Sequence, residues 1–385
     1  MPRIASPRAK SRLWRALRWA VPRFVTRKYN YTCDELEEEA PCLIVSNHVT
    51  NLDPAFVGLS LRSGPPAFVA SEHLMRQGLI SRLIERWFTP IPRSKAASGA
   101  STVKSCLRRI RSGESVVLFA EGDCTWDGLS HEVFPATGKL AKAAGAPLVT
   151  YRIEGGYLTH PRWSEKARSM KMHGGPVRVY SPEELKAMTP EQVTEAIDRD
   201  IFVDAWASQL KDKLPIPSRR RAEGLERALV LCPKCGGFGT LSSKDNTVFC
   251  TKCGCNAYVE EDGFFADDAP FSNIAGWEAW QKAELTRLMA EGAELSCEPV
   301  ECELTVIRGE EKRSKKRRAE LSMDTAGRAL VINGERLPFD RIDDVSMVKT
   351  TRLLFTTDEG YYELKSDSTG LRRFMLAVRA AKGLL

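Results

Sequence analysis

Short apolar runs that alternate with helical patterns between residues 41 and 180 constrain the fold of this chain more than any other feature. The runs read PCLIVSN, PAFVA, SVVLFAEG, APLVTYRI and PVRVY. The helical patterns between them cover Pro54–Arg62, His73–Trp87, Ser98–Ser112 and Thr137–Ala144. Apolar strands spaced by helices are typical of a sheet that is covered on both faces. The sequence therefore predicts an α/β domain with a mixed sheet flanked by helices.

The rest of the chain predicts smaller parts around this domain. Helical patterns over residues 181–227 end in a Pro- and Arg-containing linker, which places the α/β domain at residues 31–215. A Cys-rich segment occupies residues 228–262. Residues 276–385 begin with an amphipathic helix, continue as short alternating β runs and end in a second helix. This β-rich C-terminal region resembles a pleckstrin-homology-like module, by fold analogy alone.

The basic charge is concentrated at the N-terminus. Residues 1–30 carry nine Lys or Arg and no acid, whereas the whole 385-residue chain has a net charge of +7. An apolar stripe recurs there at helical spacing, at Leu13, Leu17, Ala20 and Val21. Arginines on the opposite side, with Trp14 and Trp19 beside the stripe, are typical of a helix in a lipid interface that Pro22 ends or kinks. The alternative is a solvated helix that packs the stripe on its own domain.

Composition also predicts the cellular location. The sequence has no run of about 18 apolar residues and no signal-peptide pattern. Its 11 cysteines are an odd number, and four form two Cys-x-x-Cys pairs, which favours a reducing compartment. We expect a cytoplasmic protein, peripheral on the inner face of the membrane, with anionic lipids as its partner. Because the positive charge is confined to one arm, nucleic acid is not an expected partner.

His48 and Asp53 are the candidate catalytic pair. His48 follows the apolar run Leu43–Val45, and Pro54 favours a helix start at Asp53 or just before it. Residues five apart on a regular helix point about 140° from each other, so the two side chains meet only if the chain turns between them. A strand-end His whose one nitrogen is held by a carboxylate is suited to act as a general base. The alternative is an ordinary turn in which Asp53 caps the helix.

Four blocks in order resemble the glycerolipid acyltransferase family, whose best-known members are the 1-acylglycerol-3-phosphate acyltransferases. The blocks are Asn47-His48-x4-Asp53, Pro90-Ile91-Pro92-Arg93, Phe119-Ala120-Glu121-Gly122 and Ala146-Pro147-Leu148-Val149. The resemblance covers about residues 35–180. It implies an enzyme in which His48 deprotonates the hydroxyl of a lysolipid, which then attacks the thioester of acyl-CoA or acyl-carrier protein. It further implies that Asp53 orients His48, and that Asn47, Arg93, Glu121 and Gly122 bind substrate.

The third block departs from the usual family pattern Phe-Pro-Glu-Gly-Thr-Arg. Here Cys124 stands in place of the usual Arg, and Asp123 adds a negative charge. Because one phosphate-binding cation is missing, a zwitterionic lysophospholipid competes with a phosphomonoester as the predicted acceptor. A catalytic role for Cys124 is not required by the family mechanism.

The Cys-rich segment predicts a structural zinc site. Cys232-Pro-Lys-Cys235 and Cys250-Thr-Lys-Cys253 each have a Gly directly after the second Cys. Two such knuckles bring four thiolates to one tetrahedral Zn²⁺ and leave no open coordination position. Redox chemistry is the alternative, although redox Cys-x-x-Cys motifs usually occur singly. Cys255 is either a spare thiol or an alternative ligand.

The sequence thus predicts a peripheral membrane O-acyltransferase of phospholipid biosynthesis. A non-catalytic lipid-binding or membrane-tethering protein on the same scaffold is the alternative, and a zinc-ribbon nucleic-acid binder is a further one that the charge distribution disfavours. The basic run Lys312–Arg318 predicts an exposed hairpin loop, either solvated or in contact with anionic headgroups.

Overall fold

The computed structural model describes residues 6–37, 41–62, 64–71, 79–93, 99–308, 316–368 and 370–385. The chain divides into two compact units. The first consists of Met1–Pro161 and Lys166–Leu210, and the second of Arg162–Glu165 and Lys211–Leu385.

The first unit contains nine helices and seven strands within the described residues. The helices are α1 (Pro7–Tyr29), α2 (Asp53–Ser60), α3 (Leu79–Trp87), α4 (Ala100–Arg111), α5 (Ala136–Ala144), α6 (Gly156–Thr159), α7 (Pro182–Ala187), α8 (Pro190–Ile201) and α9 (Ala205–Asp212), the last of which ends just beyond the unit. The strands are β1 (Tyr31–Cys33), β2 (Leu43–Ser46), β3 (Ala67–Ser71), β4 (Ile91–Arg93), β5 (Val116–Phe119), β6 (Leu148–Glu154) and β7 (Met172–Tyr180).

The seven strands form one sheet in the order β1-β7-β6-β2-β5-β3-β4. Only the β6–β7 pair is antiparallel, and the other pairs are parallel. The predicted mixed α/β sheet is therefore confirmed. The three central strands β6, β2 and β5 run parallel, so their carboxyl ends lie at one edge of the sheet.

Two strands of this sheet were not predicted from the sequence. β1 and β4 each contain three residues and lie at opposite edges of the sheet. A strand of this length shows no alternation that separates it from a loop. Its pairing with β7 or β3 is a tertiary contact and leaves no local signal.

Helix α1 continues through Pro22 to Tyr29, so of the two predicted alternatives, an end or a kink at Pro22, the end is wrong. A proline inside a helix costs about 3 kcal/mol. Beyond Pro22, Val25 and Tyr29 are each only 2% exposed. Burying two side chains of this size contributes about 1.5–3 kcal/mol each, which offsets the proline.

The buried face of α1 is centred on Trp14, which is 8% exposed. The indole packs on α2, where a Cβ added to Gly58 would lie 2.8 Å from Trp14 Cη2. Its Nε1 donates to the carbonyl of Leu61 at 3.4 Å. Of the predicted stripe, Leu13, Leu17 and Val21 are half-buried and Ala20 is exposed. This burial favours the alternative in which the helix packs on its own domain.

Another face of α1 is exposed and basic. Trp19, about 140° around the helix from Trp14, is 69% exposed, and Phe24 is 55% exposed. The arginines at 12, 15, 23 and 27 are also exposed. The guanidinium of Arg23 lies over the Trp19 ring at 4.2 Å from its centroid. Among the described residues, no helix is both long and apolar enough to span a bilayer.

The second unit begins with the Cys-rich segment. Strands β8 (Leu241–Lys244), β9 (Thr247–Cys250) and β10 (Asn256–Tyr258) form a small antiparallel sheet. Helix α10 (Ile274–Ala290) follows. Phe238, which lies between the two Cys-x-x-Cys pairs, is buried at 3% exposure.

The C-terminal part of this unit is a second seven-stranded sheet, followed by helix α11 (Leu371–Ala381). Its strands are β11 (Val300–Ile307), β12 (Lys316–Asp324), β13 (Ala329–Ile332), β14 (Glu335–Pro338), β15 (Asp343–Val348), β16 (Arg352–Thr357) and β17 (Gly360–Lys365). All neighbours pair antiparallel, in the order β14-β13-β12-β11-β17-β16-β15. The predicted β-rich C-terminal region is thus present. Of the basic run, residues 312–315 lie outside the described residues, and Lys316–Arg318 begin β12 and are exposed.

Helix α10 holds the Cys-rich segment and α11 together. Trp277 Nε1 donates to the carbonyl of Leu231 at 3.0 Å, and Gln281 Nε2 donates to that of Ala228 at 3.0 Å. Glu278 and Arg372 form an ion pair in which the side chains are 1% and 2% exposed. Burial alone raises the pKa of Glu278, but the charges of Arg372 and Lys282 outweigh it and lower this pKa to about 2.

Candidate functional site

The candidate site lies at the carboxyl ends of β2, β5 and β6. Asn47 and His48 follow β2, Glu121 follows β5, and Ile153 is the second-to-last residue of β6. In open α/β sheets, ligands bind in the crevice outside the carboxyl ends of the strands. The sheet therefore brings residues from the ends of three different strands to one edge.

His48 and Asp53 are in contact. His48 Nδ1 lies 2.8 Å from Asp53 Oδ2. Helix α2 begins at Asp53, and the turn over residues 49–52 reverses the chain so that the two side chains meet. Since an ionised carboxylate only accepts hydrogen bonds, Nδ1–H is the donor. The neutral ring then presents the lone pair of Nε2 as its basic site.

Asp53 is held in place by the backbone it follows. Its Oδ2 also accepts the N–H of Val49 at 2.6 Å and that of Thr50 at 2.9 Å. Its Oδ1 accepts Thr50 Oγ1 at 2.7 Å. The side chain has no exposed surface. These donors hold the Asp53 carboxylate in place independently of its contact with His48, so the pair is preorganised.

The imidazole of His48 packs between protein groups and keeps 21% of its side chain exposed. The ring stacks on Phe119, with centroids 4.6 Å apart. Cys124 Sγ lies 3.5 Å from both Nδ1 and Nε2. A sulfur at these equal distances within the ring plane would overlap Cε1, so it lies out of the plane. Cys124 therefore does not lie in line with the Nε2 lone pair, as a thiol that donates its proton to that nitrogen would.

The pKa of His48 is raised well above its usual value. Burial by itself lowers this pKa, but Cys124 and the hydrogen bond and charge of Asp53 raise it, and the net direction is upward. The neutral form of the ring consequently accumulates only on the alkaline side of the usual histidine pKa.

Asn47 uses its amide within the protein. Its Nδ2 donates to the carbonyl of Ile153 at 2.9 Å, and its Oδ1 accepts the N–H of Ile153 at 2.8 Å. The side chain is 1% exposed. Sequence reasoning placed Asn47 in substrate binding, whereas these contacts tie the end of β2 to β6.

Glu121 also turns both oxygens to the protein. Its Oε1 accepts the N–H of His48 at 3.0 Å, and its Oε2 accepts the N–H of His131 at 2.9 Å. Burial raises the pKa of Glu121 to about 7, against the lowering effect of these two N–H groups. A cavity of about 10 Å³ lies beside His48 and Glu121. This volume holds about one water molecule.

The side chain of Arg93, the last residue of β4, lies next to Gly122, which follows β5. Gly122 has φ of +77°, a conformation that L side chains rarely adopt. A Cβ there would also overlap Phe134 Cε2 and would lie 2.9 Å from Arg93 Nη1. The Arg93 guanidinium lies 4.7 Å from the centroid of Phe134, which is 43% exposed. The guanidinium of Arg93, the ring of Phe134 and the backbone of Gly122, which carries no side chain, therefore lie close together.

Phe134, His131 and Thr50 are site residues that sequence reasoning missed. The loop with His131 and Phe134 reaches the site only through tertiary contacts, so no local pattern indicates it. Thr50 lies three residues before Asp53, a spacing at which a hydroxyl can reach a carboxylate in a turn, and this was an available signal.

Four cysteines converge in the second unit. The sulfur atoms of Cys232, Cys235, Cys250 and Cys253 all lie within 4.8 Å of one another. Cys232 and Cys253 sulfurs are 3.7 Å apart, and those of Cys235 and Cys250 are 3.8 Å apart. Four thiolates around a tetrahedral Zn²⁺ at about 2.3 Å would be about 3.8 Å apart, so the geometry fits. The cluster could hold a metal ion, and Cys255 is not part of it.

The backbone conformation explains why a glycine follows each of the two Cys-x-x-Cys knuckles. Gly236 and Gly254 have φ of +63° and +70°, and a Cβ at either would meet nothing within 4 Å. The amide N–H of each donates at 3.0 Å to the carbonyl of the first Cys of its knuckle, Cys232 or Cys250. Glycine is therefore favoured here by the backbone angle and not by space.

Comparison with known proteins finds a family match within the first unit. Residues 28–154 match the family model described as Acyltransferase. A curated protein of Mycoplasma genitalium, described as a probable 1-acyl-sn-glycerol-3-phosphate acyltransferase, is 29% identical over 147 residues. The match covers 37% of this chain and 53% of that protein, so the chain spans about half the length of this relative.

One solved structure is also similar. It is the crystal structure of the 1-acyl-sn-glycerophosphate (LPA) acyltransferase, PlsC, from Thermotoga maritima. It shares 16% sequence identity at a TM-score of 0.45, and the match covers 54% of this chain and 83% of that chain.

Proposed function

We propose that this protein is an O-acyltransferase that moves a fatty acyl chain from acyl-CoA or acyl-carrier protein to the hydroxyl of a lysophospholipid or other lysolipid. One observation carries the proposal: His48 and Asp53 form a preorganised 2.8 Å pair at the carboxyl edge of the sheet. That pair lies inside the residues that match the acyltransferase family model.

The reaction follows from the chemistry of the pair. Nε2 of His48 takes the proton of the acceptor hydroxyl as its oxygen attacks the thioester carbonyl. The sulfur of the donor then leaves and receives the proton from His48, so the base is restored. Asp53 stabilises the imidazolium through Nδ1–H, which is a charge-assisted hydrogen bond. General-base catalysis of this kind contributes about 10² to 10⁴ in rate.

Arg93 and Gly122 are the residues we assign to the acceptor headgroup. The Arg93 guanidinium can contact a phosphate through two N–H groups. The Phe134 ring beside it offers a face to a cationic group, and such contacts contribute about 0.5–1 kcal/mol at exposed sites. Because Cys124 replaces the usual Arg, we propose a zwitterionic lysophospholipid as acceptor ahead of a phosphomonoester.

We further propose that Cys232, Cys235, Cys250 and Cys253 hold one structural Zn²⁺. When bound, the ion adds folding free energy to the small β8–β10 sheet. Four protein thiolates leave no position for a substrate, so the acyl-transfer step uses protein side chains alone.

Membrane contact is proposed at the exposed face of α1. Trp19 and Phe24 supply apolar surface, and the arginines around them supply charge that attracts anionic lipids, at about 1 kcal/mol per cation near the surface. The β-rich C-terminal region, a seven-stranded antiparallel sheet followed by α11, is compatible with the pleckstrin-homology-like assignment, which stays a prediction.

The test is consumption of acyl-CoA by the purified protein with a panel of lysolipids that differ in headgroup. We expect donor thiol release with at least one lysolipid, at a rate that His48→Ala reduces about 10²-fold or more. Equal rates for the wild type and folded His48→Ala would contradict the mechanism. Lipid binding without turnover across the panel would favour a tethering protein.

A further inference from the structure

We propose that Glu121 is a positioning residue that fixes the backbone of His48, and that it is not a ligand of the acceptor. The inference deepens the proposed acyl-transfer function and rests on it. It starts from the two carboxylate oxygens, which accept the N–H of His48 at 3.0 Å and the N–H of His131 at 2.9 Å.

The contacts of Glu121 join two separate parts of the site. His48 follows β2, and His131 lies in the loop between β5 and α5. The carbonyl of His48 also accepts the N–H of Thr125 at 3.1 Å. Both backbone polar groups of His48 are thus held by the segment 121–125. Any movement of Glu121 is transmitted to the peptide that carries the base.

Access to Glu121 is restricted. The residue is 6% exposed, and the cavity beside it has a volume of about 10 Å³. That space admits about one water molecule, whereas a lysolipid headgroup is many times larger. Within the described part of the chain, Glu121 forms no ion pair, so the backbone N–H groups are its charge-stabilising partners.

The proposal distinguishes two effects on kinetics. A headgroup ligand contributes to acceptor binding, so its loss raises KM for the lysolipid. A positioning residue acts on the geometry of the reacting base, and a displacement of about 1 Å can cost about 10²-fold in rate. We therefore expect the loss to appear in kcat.

Glu121→Gln is the decisive variant because it keeps the size of the side chain. One oxygen is replaced by an NH₂ group, which faces a backbone N–H and cannot accept from it. Glu132→Gln is the matched control, since Glu132 is exposed and follows His131 directly. We expect Glu121→Gln to lower kcat about 10- to 100-fold, with KM for the lysolipid changed less than about 3-fold, and Glu132→Gln to match the wild type.

Amide hydrogen exchange followed by mass spectrometry gives a second readout that needs no turnover. Peptides covering residues 46–50 and 129–133 should exchange faster in Glu121→Gln than in the wild type or Glu132→Gln. If the wild type transfers no acyl group, the proposed function fails while the exchange result still decides the role of Glu121. Unchanged exchange in both peptides would overturn the positioning role, as would a 10-fold rise in KM with kcat unchanged.

Glu121→Asp covers the case in which Glu121→Gln does not fold. The shorter side chain keeps the charge but does not reach both N–H groups. A positioning role predicts the same fall in kcat as for Gln, and wild-type kcat in Glu121→Asp would overturn it.

Discussion

Asp53→Asn removes one negative charge from the site and leaves most of its contacts possible. An Asn whose Oδ1 occupies the place of Oδ2 still accepts from His48 Nδ1, Val49 N and Thr50 N. Its Nδ2 then donates to Thr50 Oγ1, whose hydroxyl can rotate to accept. We therefore expect a fall in unfolding free energy of about 1–3 kcal/mol, since the backbone N–H groups keep an acceptor in Oδ1, whereas the Thr50 hydroxyl loses the acceptor of its proton.

The loss in rate follows from the charge alone. Hydrogen bonds to charged groups contribute about 1.5–3 kcal/mol, against about 0.5–1.5 kcal/mol for neutral pairs. The imidazolium of His48 in the transition state should be about 1–2 kcal/mol less stable in Asp53→Asn. This corresponds to a fall in kcat of about 5- to 30-fold. The opposite amide orientation would place a donor against Nδ1 and move the ring proton to Nε2, which would remove the base and cost the full 10² to about 10⁴.

The assay is the release of donor thiol at saturating acyl-CoA and lysolipid, measured from pH 5 to about 9, the range in which histidine pKa values occur. The acid limb of log kcat should move to lower pH in Asp53→Asn, because the carboxylate raises the pKa of His48. His48→Ala is the reference for complete loss of the base. Wild-type kcat with an unshifted acid limb in folded Asp53→Asn would refute the role of Asp53.

Three further predictions concern pH, metal and membrane. Activity of the wild type should be lost as pH falls through a value above 6.5, because His48 must be neutral and its pKa is raised. In a pH–rate profile of Cys124→Ala, this loss of activity should occur at lower pH. If it occurs at the same pH as in the wild type, Cys124 does not raise the pKa of His48. Elemental analysis should give about one zinc per chain, and Cys232→Ser should lower this value and speed proteolysis near the cysteines, whereas a zinc-free folded protein would contradict the assignment. Trp19→Ala should weaken binding to anionic vesicles in a flotation assay while Leu13→Ala, half-buried on the same helix, has a smaller effect; equal losses would move the contact away from the exposed face.

The sequence predicted much of the first sheet because its central strands are continuous apolar runs. β2, β5 and β6 are buried on both faces, and such strands have a clear local signal. Their order in the sheet had no such signal, because it depends on which strands pair through the backbone. The adjacency β6-β2-β5 is what brings Asn47, His48 and Glu121 together.

The roles of individual polar residues were harder to predict. The blocks identified Asn47 and Glu121 as members of the site, but a motif does not say whether a side chain faces substrate or backbone. Both turn out to hold backbone groups of neighbouring segments. The buried face of α1 could not be predicted for a related reason: Trp14 and Trp19 are the same residue type, and it is a tertiary contact, the packing of Trp14 on Gly58, that distinguishes them.

The contacts of α10 decide where this chain can be divided. A fragment that ends after the Cys-rich segment, at residue 262, would lack Trp277 and Gln281, and the carbonyls of Leu231 and Ala228 would lose the donors that α10 supplies. A fragment that begins with β11 would instead leave Arg372 of α11 without the buried carboxylate of Glu278. Removing one partner of a buried ion pair costs about 3–5 kcal/mol. The segment from the cysteines to the C-terminus should therefore be expressed, or fused to another protein, only as one piece.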